Sequence, residues 1–279
     1  MAIDLDNYMR RSIMKGIRIG SEIFVIALLL SCTQVPVTGR QQLNLVPESQ
    51  VLSMSFSQYS DFIKDHKLSD NPQQTQMVKT VGSRIADAVG KYFAQHNMSD
   101  QLKDYKWEFN LVQDSEINAW CMPGGKVVVY TGIMPVVQNE NGLAVVLGHE
   151  ISHAVADHGN ERMSQQLLTQ LGGTALSVAL QKQPQKTQQI FLASYGVGST
   201  VGILLPYSRV QESEADHLGL IFMAMAGYDP HNAVDFWQRM MNSQKGSAPP
   251  EFLSDHPADA TRLKKIQDEI PEAMQYYEK

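Results

Sequence analysis

The feature that most limits how this chain can fold is the pentapeptide His149-Glu150-Ile151-Ser152-His153. It lies in a stretch, from Asn141 to about Gln165, whose apolar residues recur at helical spacing. In a helix, residues i and i+4 stand one turn apart on the same face, so both imidazoles can grip one metal ion. Glu150 falls about 100° around from His149, beside the metal rather than on it. There its carboxylate can take a proton from a water that zinc acidifies to a pKa of about 7. The same five residues can also ride idly on a surface helix, so the reading depends on what else the chain supplies.

A catalytic zinc takes three protein ligands and keeps one open position. The histidine that some HExxH proteins carry ten residues after the first is absent here, where Gly159 stands, with Ala156 three residues before it. On a continuous helix His158 lies roughly 140° around from His153 and faces away. A better donor comes from a second helical stretch, Glu212-Ser213-Glu214-Ala215-Asp216, followed by apolar Leu218, Leu220, Ile221 and Phe222. Glu212 and Asp216 share one face. That spacing suits a zinc ligand together with a carboxylate that accepts from the far nitrogen of a zinc-bound histidine and fixes its tautomer. Glu214 is expected on another face, in solvent. The competing view is an exposed acidic first turn that the helix dipole favours.

The N-terminus carries an address. Arg10, Arg11, Lys15 and Arg18 precede an apolar run from Ile23 to Leu30, far shorter than the about 20 residues a spanning helix needs. This fits a secretory signal over 1–31. Leu29-Leu30-Ser31-Cys32 resembles a bacterial lipobox, which makes Cys32 the expected lipidation site. Several acyl chains there would anchor the chain stably. Residues 32–46 then read as a lipidated cysteine and polar tether, and 47–279 as a single catalytic domain. Thr33, rather than aspartate, follows the cysteine, which in lipobox proteins favours the outer membrane over the inner. The net charge of −6 argues against nucleic acid as a partner.

Helices are expected from about Glu48 to Lys64 and from Asn71-Pro72 through Phe93. Further ones should open at Asp229-Pro230 and at Asp255 to Pro257. Trp107, Phe109 and Leu111 alternate as in a half-buried strand. Ile117 to Met122, Pro123-Gly124-Gly125 and Val127 to Thr131 read as a hairpin. The fold class is α+β, mainly helical, with a small antiparallel sheet beside the HExxH helix. Leu167 to Leu180 and Ile190 to Leu205 carry no charge; they read as a buried helical pair or a mobile cover. Gly196, Gly198, Gly202 and Pro206 suggest a bend there.

The HExxH motif followed by Glu212-Ser213-Glu214-Ala215-Asp216 resembles the HtpX-like gluzincin zinc metallopeptidases, which include relatives of the CAAX prenyl protease. The likeness continues through Asn118-Ala119 to Pro123-Gly124-Gly125, Gly227-Tyr228-Asp229-Pro230, and Ser254-Asp255-His256-Pro257 with Arg262. Val35-Pro36-Val37-Thr38-Gly39-Arg40 and the lipobox resemble the periplasmic lipoprotein branch that includes LoiP-like proteins. The resemblance implies one Zn2+ per chain, held by His149, His153 and Glu212, with Glu150 as general base and Asp216 behind a ligand. It implies that Asn118 and Ala119 lie on an edge strand that pairs with an extended polypeptide substrate. His256 and Arg262 become candidate donors to the developing oxyanion. Cys121 departs from the small or apolar residues more usual there and is read as a packed thiol. The implied activity is a zinc metalloendopeptidase acting on misfolded or misassembled cell-envelope proteins, with envelope-assembly proteins as further partners. The rival expectation is a membrane-anchored periplasmic chaperone or assembly factor that uses the same groove without hydrolysis.

Overall fold

The computed structural model describes residues 32–35, 38–171, 176–197, 208–243 and 250–278. Its first element is a small antiparallel hairpin of β1 (Cys32–Gln34) and β2 (Gln41–Leu43). Helices α1 (Glu48–Asp65) and α2 (Pro72–Gln95) follow. Helix α2 starts where a cap and a proline dictate, with Asn71 Oδ1 accepting from the Gln74 amide and Pro72 in the first turn.

The main sheet has β3 (Glu108–Val112), β4 (Ala119–Met122) and β5 (Lys126–Tyr130) in the order β3-β5-β4. The β4–β5 hairpin is antiparallel, as its turn signal demands. Gly124 and Gly125 take φ of 77° and 80°, which suits glycine alone without strain. Strand β3 joins β5 in parallel, so the sheet is mixed. Both of its faces are covered. Ala119, Cys121, Val127 and Val129 point into one apolar cluster, and Trp120, Met122, Val128 and Tyr130 into another.

The helices that carry the motifs stack on the first of these faces. They are α3 (Glu140–Val155), α4 (His158–Leu171), α5 (Leu176–Lys182), α6 (Pro184–Ser194), α7 (Arg209–Met225), α8 (Asn232–Asn242), α9 (Glu251–Asp255) and α10 (Ala260–Ala273), of which α4, α5 and α6 instead contribute to the second cluster. Helix α3 is buried all round from Gly142 to Val155. It packs on α7 with glycine facing glycine: a Cβ on Gly148 would meet the Gly219 carbonyl oxygen at 2.9 Å.

Three expectations need correcting. The helical stretch after Asn141 does not run to Gln165. It breaks after Val155, where Asp157 adopts φ 58°, and restarts at His158. The last helix opens at Asp259, whose side chain accepts from the Arg262 amide; Asp255 instead closes the short α9 and His256 is its C-cap. The segment before Glu48 is no free tether: Val35, Gln42 and Val46 are buried, and the Gln42 amide donates to the Ala156 carbonyl. The signal segment 1–31 and Gly198, Gly202 and Pro206 lie outside the described residues. Among the described residues no helix is long and apolar enough to cross a membrane.

Candidate metal centre

Four donor-bearing side chains, His149, His153, Glu212 and His256, converge so that one ligand atom of each lies within 4.8 Å of the others. All four are buried, at 4% exposure or less. Helix α3 brings the two histidines one turn apart, with His149 Nε2 and His153 Nε2 at 3.1 Å. Helix α7 brings Glu212, whose Oε1 is 3.3 Å from His153 Nε2 and whose Oε2 is 3.5 Å from His149 Nε2. The Ser208 capping box starts that helix and so sets the register of Glu212. The end of α9 adds His256, with Nδ1 at 3.1 Å from His149 Nε2 and 2.9 Å from Glu212 Oε1.

These spacings suit a small cation. Bonds of about 2.0–2.1 Å to imidazole nitrogen or carboxylate oxygen make a tetrahedron with edges of about 3.3 Å. A set of imidazoles and one carboxylate is also the donor chemistry of zinc rather than of calcium or magnesium. Burial lowers the His149 and His153 pKa values, which keeps both rings neutral and able to ligate. Burial pushes Glu212 upward, but Arg262, His256 and His149 outweigh it and hold the carboxyl well below its usual range.

Glu150 stands beside the cluster, not in it, with Oε1 3.4 Å from His256 Nε2. Burial raises its pKa to about 8, against an opposing pull from His256. A cation in the cluster would draw that value down. Such a carboxyl can therefore carry a proton either way near neutral pH.

The groups behind the cluster orient it. His149 Nδ1 lies 3.0 Å from Asp216 Oδ1. Arg262 grips Asp216 with Nε at 2.7 Å and NH2 at 2.9 Å, places NH1 2.6 Å from Glu212 Oε2, and stacks over the Trp237 ring at 3.7 Å. Its NH1 also donates to the carbonyls of His256 and Pro257. Arg262 is thus committed to two carboxylates and a loop. The expected role as a free oxyanion donor does not match this arrangement.

His256 stands at the fourth corner of the cluster. Asn118 and Ala119 are 1% and 2% exposed. The Asn118 side chain accepts from the Ala119 amide, and the Phe252 amide donates to the Ile117 carbonyl beside them. The segment 250–256 therefore covers the start of β4, and an extended chain reaches that edge only if the segment moves. Cys121 is buried, and burial raises its thiol pKa, which suits a packed thiol.

Two residues escaped the sequence reading. Glu214 is not in solvent: it is 6% exposed, with Oε1 accepting from Thr38 Oγ1 at 2.6 Å and Oε2 from Arg40 Nε at 2.7 Å. His158 does not face away, because the break at Asp157 turns it back to place its Nδ1 2.9 Å from His153 Nδ1. The signal for this was Asp157 itself, since aspartate is among the few residues that tolerate a positive φ.

A mainly helical α+β frame that buries a HExxH helix against a second, acidic helix defines a metallopeptidase. The comparisons with known proteins agree. Residues 72–270 match Peptidase family M48. The chain is 33% identical over 245 residues to "Mitochondrial metalloendopeptidase OMA1" of Schizosaccharomyces pombe, which covers 86% of this chain and 67% of that protein. It is 29% identical over 266 residues to "Metalloendopeptidase OMA1, mitochondrial" of Homo sapiens, covering 92% and 49% respectively. It is 32% identical over 200 residues to "Beta-barrel assembly-enhancing protease" of Yersinia pestis, covering 69% and 38%. This chain therefore belongs to peptidase family M48. It spans two thirds of the fission-yeast protein and half or less of the other two.

Proposed function

We propose that the chain is a zinc-dependent endopeptidase in which His149, His153 and Glu212 hold the metal and Glu150 is the general base. The observation that carries this reading is the buried cluster of donors with the Glu150 carboxyl outside it but at its side. Zinc, when bound, supplies Lewis acidity toward a carbonyl oxygen and a water. Glu150 takes the proton of that water and returns it to the leaving amine. Asp216 and Arg262 keep His149 and Glu212 in their ligand orientations.

A catalytic zinc needs an open position, and His256 stands in the fourth corner. This position supports a closed, self-inhibited state, from which His256 and the cover over β4 withdraw together to admit an extended polypeptide. Arg262 holds that loop by its carbonyls, so opening costs those bonds as well.

The compartment and substrates belong to the same proposal. The lipobox-like run ending at Cys32 supports a lipid anchor facing the periplasm, on the outer membrane rather than the inner, as in the LoiP-like branch. The Yersinia relative is named for enhancing β-barrel assembly, which fits substrates among envelope proteins undergoing assembly. Metal content and casein cleavage, measured for wild type and Glu150→Gln together, test the chemistry. Zinc in both and cleavage by wild type alone is the expected result. Zinc in both with no cleavage by either, even after His256→Ala, would favour the chaperone reading. No zinc in either defeats the ligand assignment.

A further inference from the structure

The two histidines of α3 are oriented in different ways. His149 leans directly on a carboxylate, Asp216. His153 has its Nε2 in the cluster and its Nδ1 against another imidazole, that of His158, at 2.9 Å. A ring that ligates through Nε2 carries its proton on Nδ1. His153 must then donate to His158 Nδ1, and the His158 proton must sit on Nε2. That nitrogen lies 3.3 Å from Glu214 Oε2, the carboxylate oxygen placed to receive it. The chain of donors is thus His153 to His158 to Glu214, with only one set of tautomers that satisfies it.

The far end is fixed from a distant part of the sequence. Thr38 and Arg40, in the turn between β1 and β2, both donate to Glu214. Arg40 also pairs with Glu161 through NH1 and NH2 at 2.9 and 2.8 Å, and Gln211 Nε2 donates to the same carboxylate. His158, Glu161 and Glu214 are buried, at 7% exposure or less. Without Arg40, two buried carboxylates would face each other with no cation between them, a strongly unfavourable arrangement.

We propose that Arg40 and Thr38 are positioning residues of the metal centre, acting through Glu214 and His158 to fix the orientation and tautomer of His153. This rests on His153 being a ligand, as proposed above. It makes the turn 38–40 part of the site, although nothing in its sequence resembles a metal ligand. The three acidic residues of α7 then divide the work. Glu212 enters the cluster, Asp216 backs one histidine, and Glu214 backs the other through His158. Each of the two backing carboxylates is held by an arginine from elsewhere in the chain, Arg262 and Arg40.

The test is zinc affinity of the full chain, by competition with a chromophoric chelator, for wild type, Arg40→Ala, Thr38→Val, His158→Ala and the Arg40→Ala/His158→Ala pair. Loss of a group that orients a ligand typically weakens metal binding about 10–100-fold, and that range is expected for Arg40→Ala and for His158→Ala. Because both act through one chain of bonds, the double variant should lose little more than the worse single one. Thr38→Val, which keeps the charge balance and the fold, should show a smaller loss in the same direction. Arg40→Ala or Thr38→Val variants that melt earlier yet bind zinc like wild type would show a purely structural role and overturn the proposal. So would losses at positions 40 and 158 that multiply. If wild type binds no zinc, the ligand assignment itself has failed. If wild type binds and cleaves while the Arg40 variant binds equally well, only the relay has failed.

Discussion

Asp157 sits between α3 and α4 at φ 58°, in the left-handed region that aspartate and asparagine tolerate better than most residues. Without that one torsion His158 would point off the helix, away from His153. The position has an electrostatic drawback: burial, aided by Glu48, raises the Asp157 pKa to about 7. The folded value lies above the unfolded value of about 3.9. Its contribution is therefore fully favourable below about pH 4, and is lost as pH rises through about 7. Asn keeps the torsion and removes the charge. Asp157→Asn should thus stabilise the protein by about 1–2 kcal/mol at pH 8.5 and change little at pH 4. Thermal melts at the two pH values check this, and equal shifts at both would refute the charge argument. Glu150→Gln makes a complementary case at the same scale. It preserves the shape of the side chain and removes the base, so cleavage should fall by at least about 100-fold with zinc content unchanged.

At the scale of elements, the site depends on how closely α3 and α7 approach. A Cβ on Gly219 would come within 3.0 Å of Gly148 C and His149 N, both backbone atoms that cannot rotate away. Gly219→Ala should therefore push the helices apart, destabilise by about 1–3 kcal/mol, and draw Glu212 and Asp216 away from the histidines. Calorimetry and zinc titration would show both losses together; a lower melting temperature with unchanged zinc affinity would mean that the helices separate elsewhere. Much of this pair was legible in the sequence, because i, i+4 spacing on a helix is local geometry: His149 with His153, and Glu212 with Asp216. The caps of α2 and the β4–β5 turn were legible for the same reason. What local spacing could not give was the parallel docking of β3 on β5, the covering of Asn118 and Ala119 by residues 250–256, or the burial of Glu214. Each of these depends on segments far apart in the chain. The helix break at Asp157 was missed because α3 is buried on every side, so its apolar pattern has no phase whose interruption would mark an end.

Across the whole molecule, the cluster ties together five separate parts of the fold: α3, α7, α9, α10 through Arg262, and the N-terminal turn through Arg40. These parts carry a concentration of buried charge that apolar packing alone does not neutralise. A bound cation compensates Glu212 and gives the facing imidazole nitrogens a common partner, so the metal should stabilise the tertiary structure as well as serve the chemistry. Ligand linkage sets the scale: zinc at a thousand times its dissociation constant adds about 4 kcal/mol, or roughly 8–16 °C of melting temperature for a domain of this size. Stripping with a chelator should lower the melting temperature by that order, and equimolar zinc should restore it. Glu150→Gln keeps every proposed ligand and should show the same drop, whereas Glu212→Gln should show much less. With His256 as the proposed closing arm, limited proteolysis of the stripped protein should cut near 250–256 sooner than in the zinc form. A melting temperature that stays fixed while zinc content falls to zero would mean that the cluster is stable without a metal, and that Arg262 and the histidines alone neutralise Glu212.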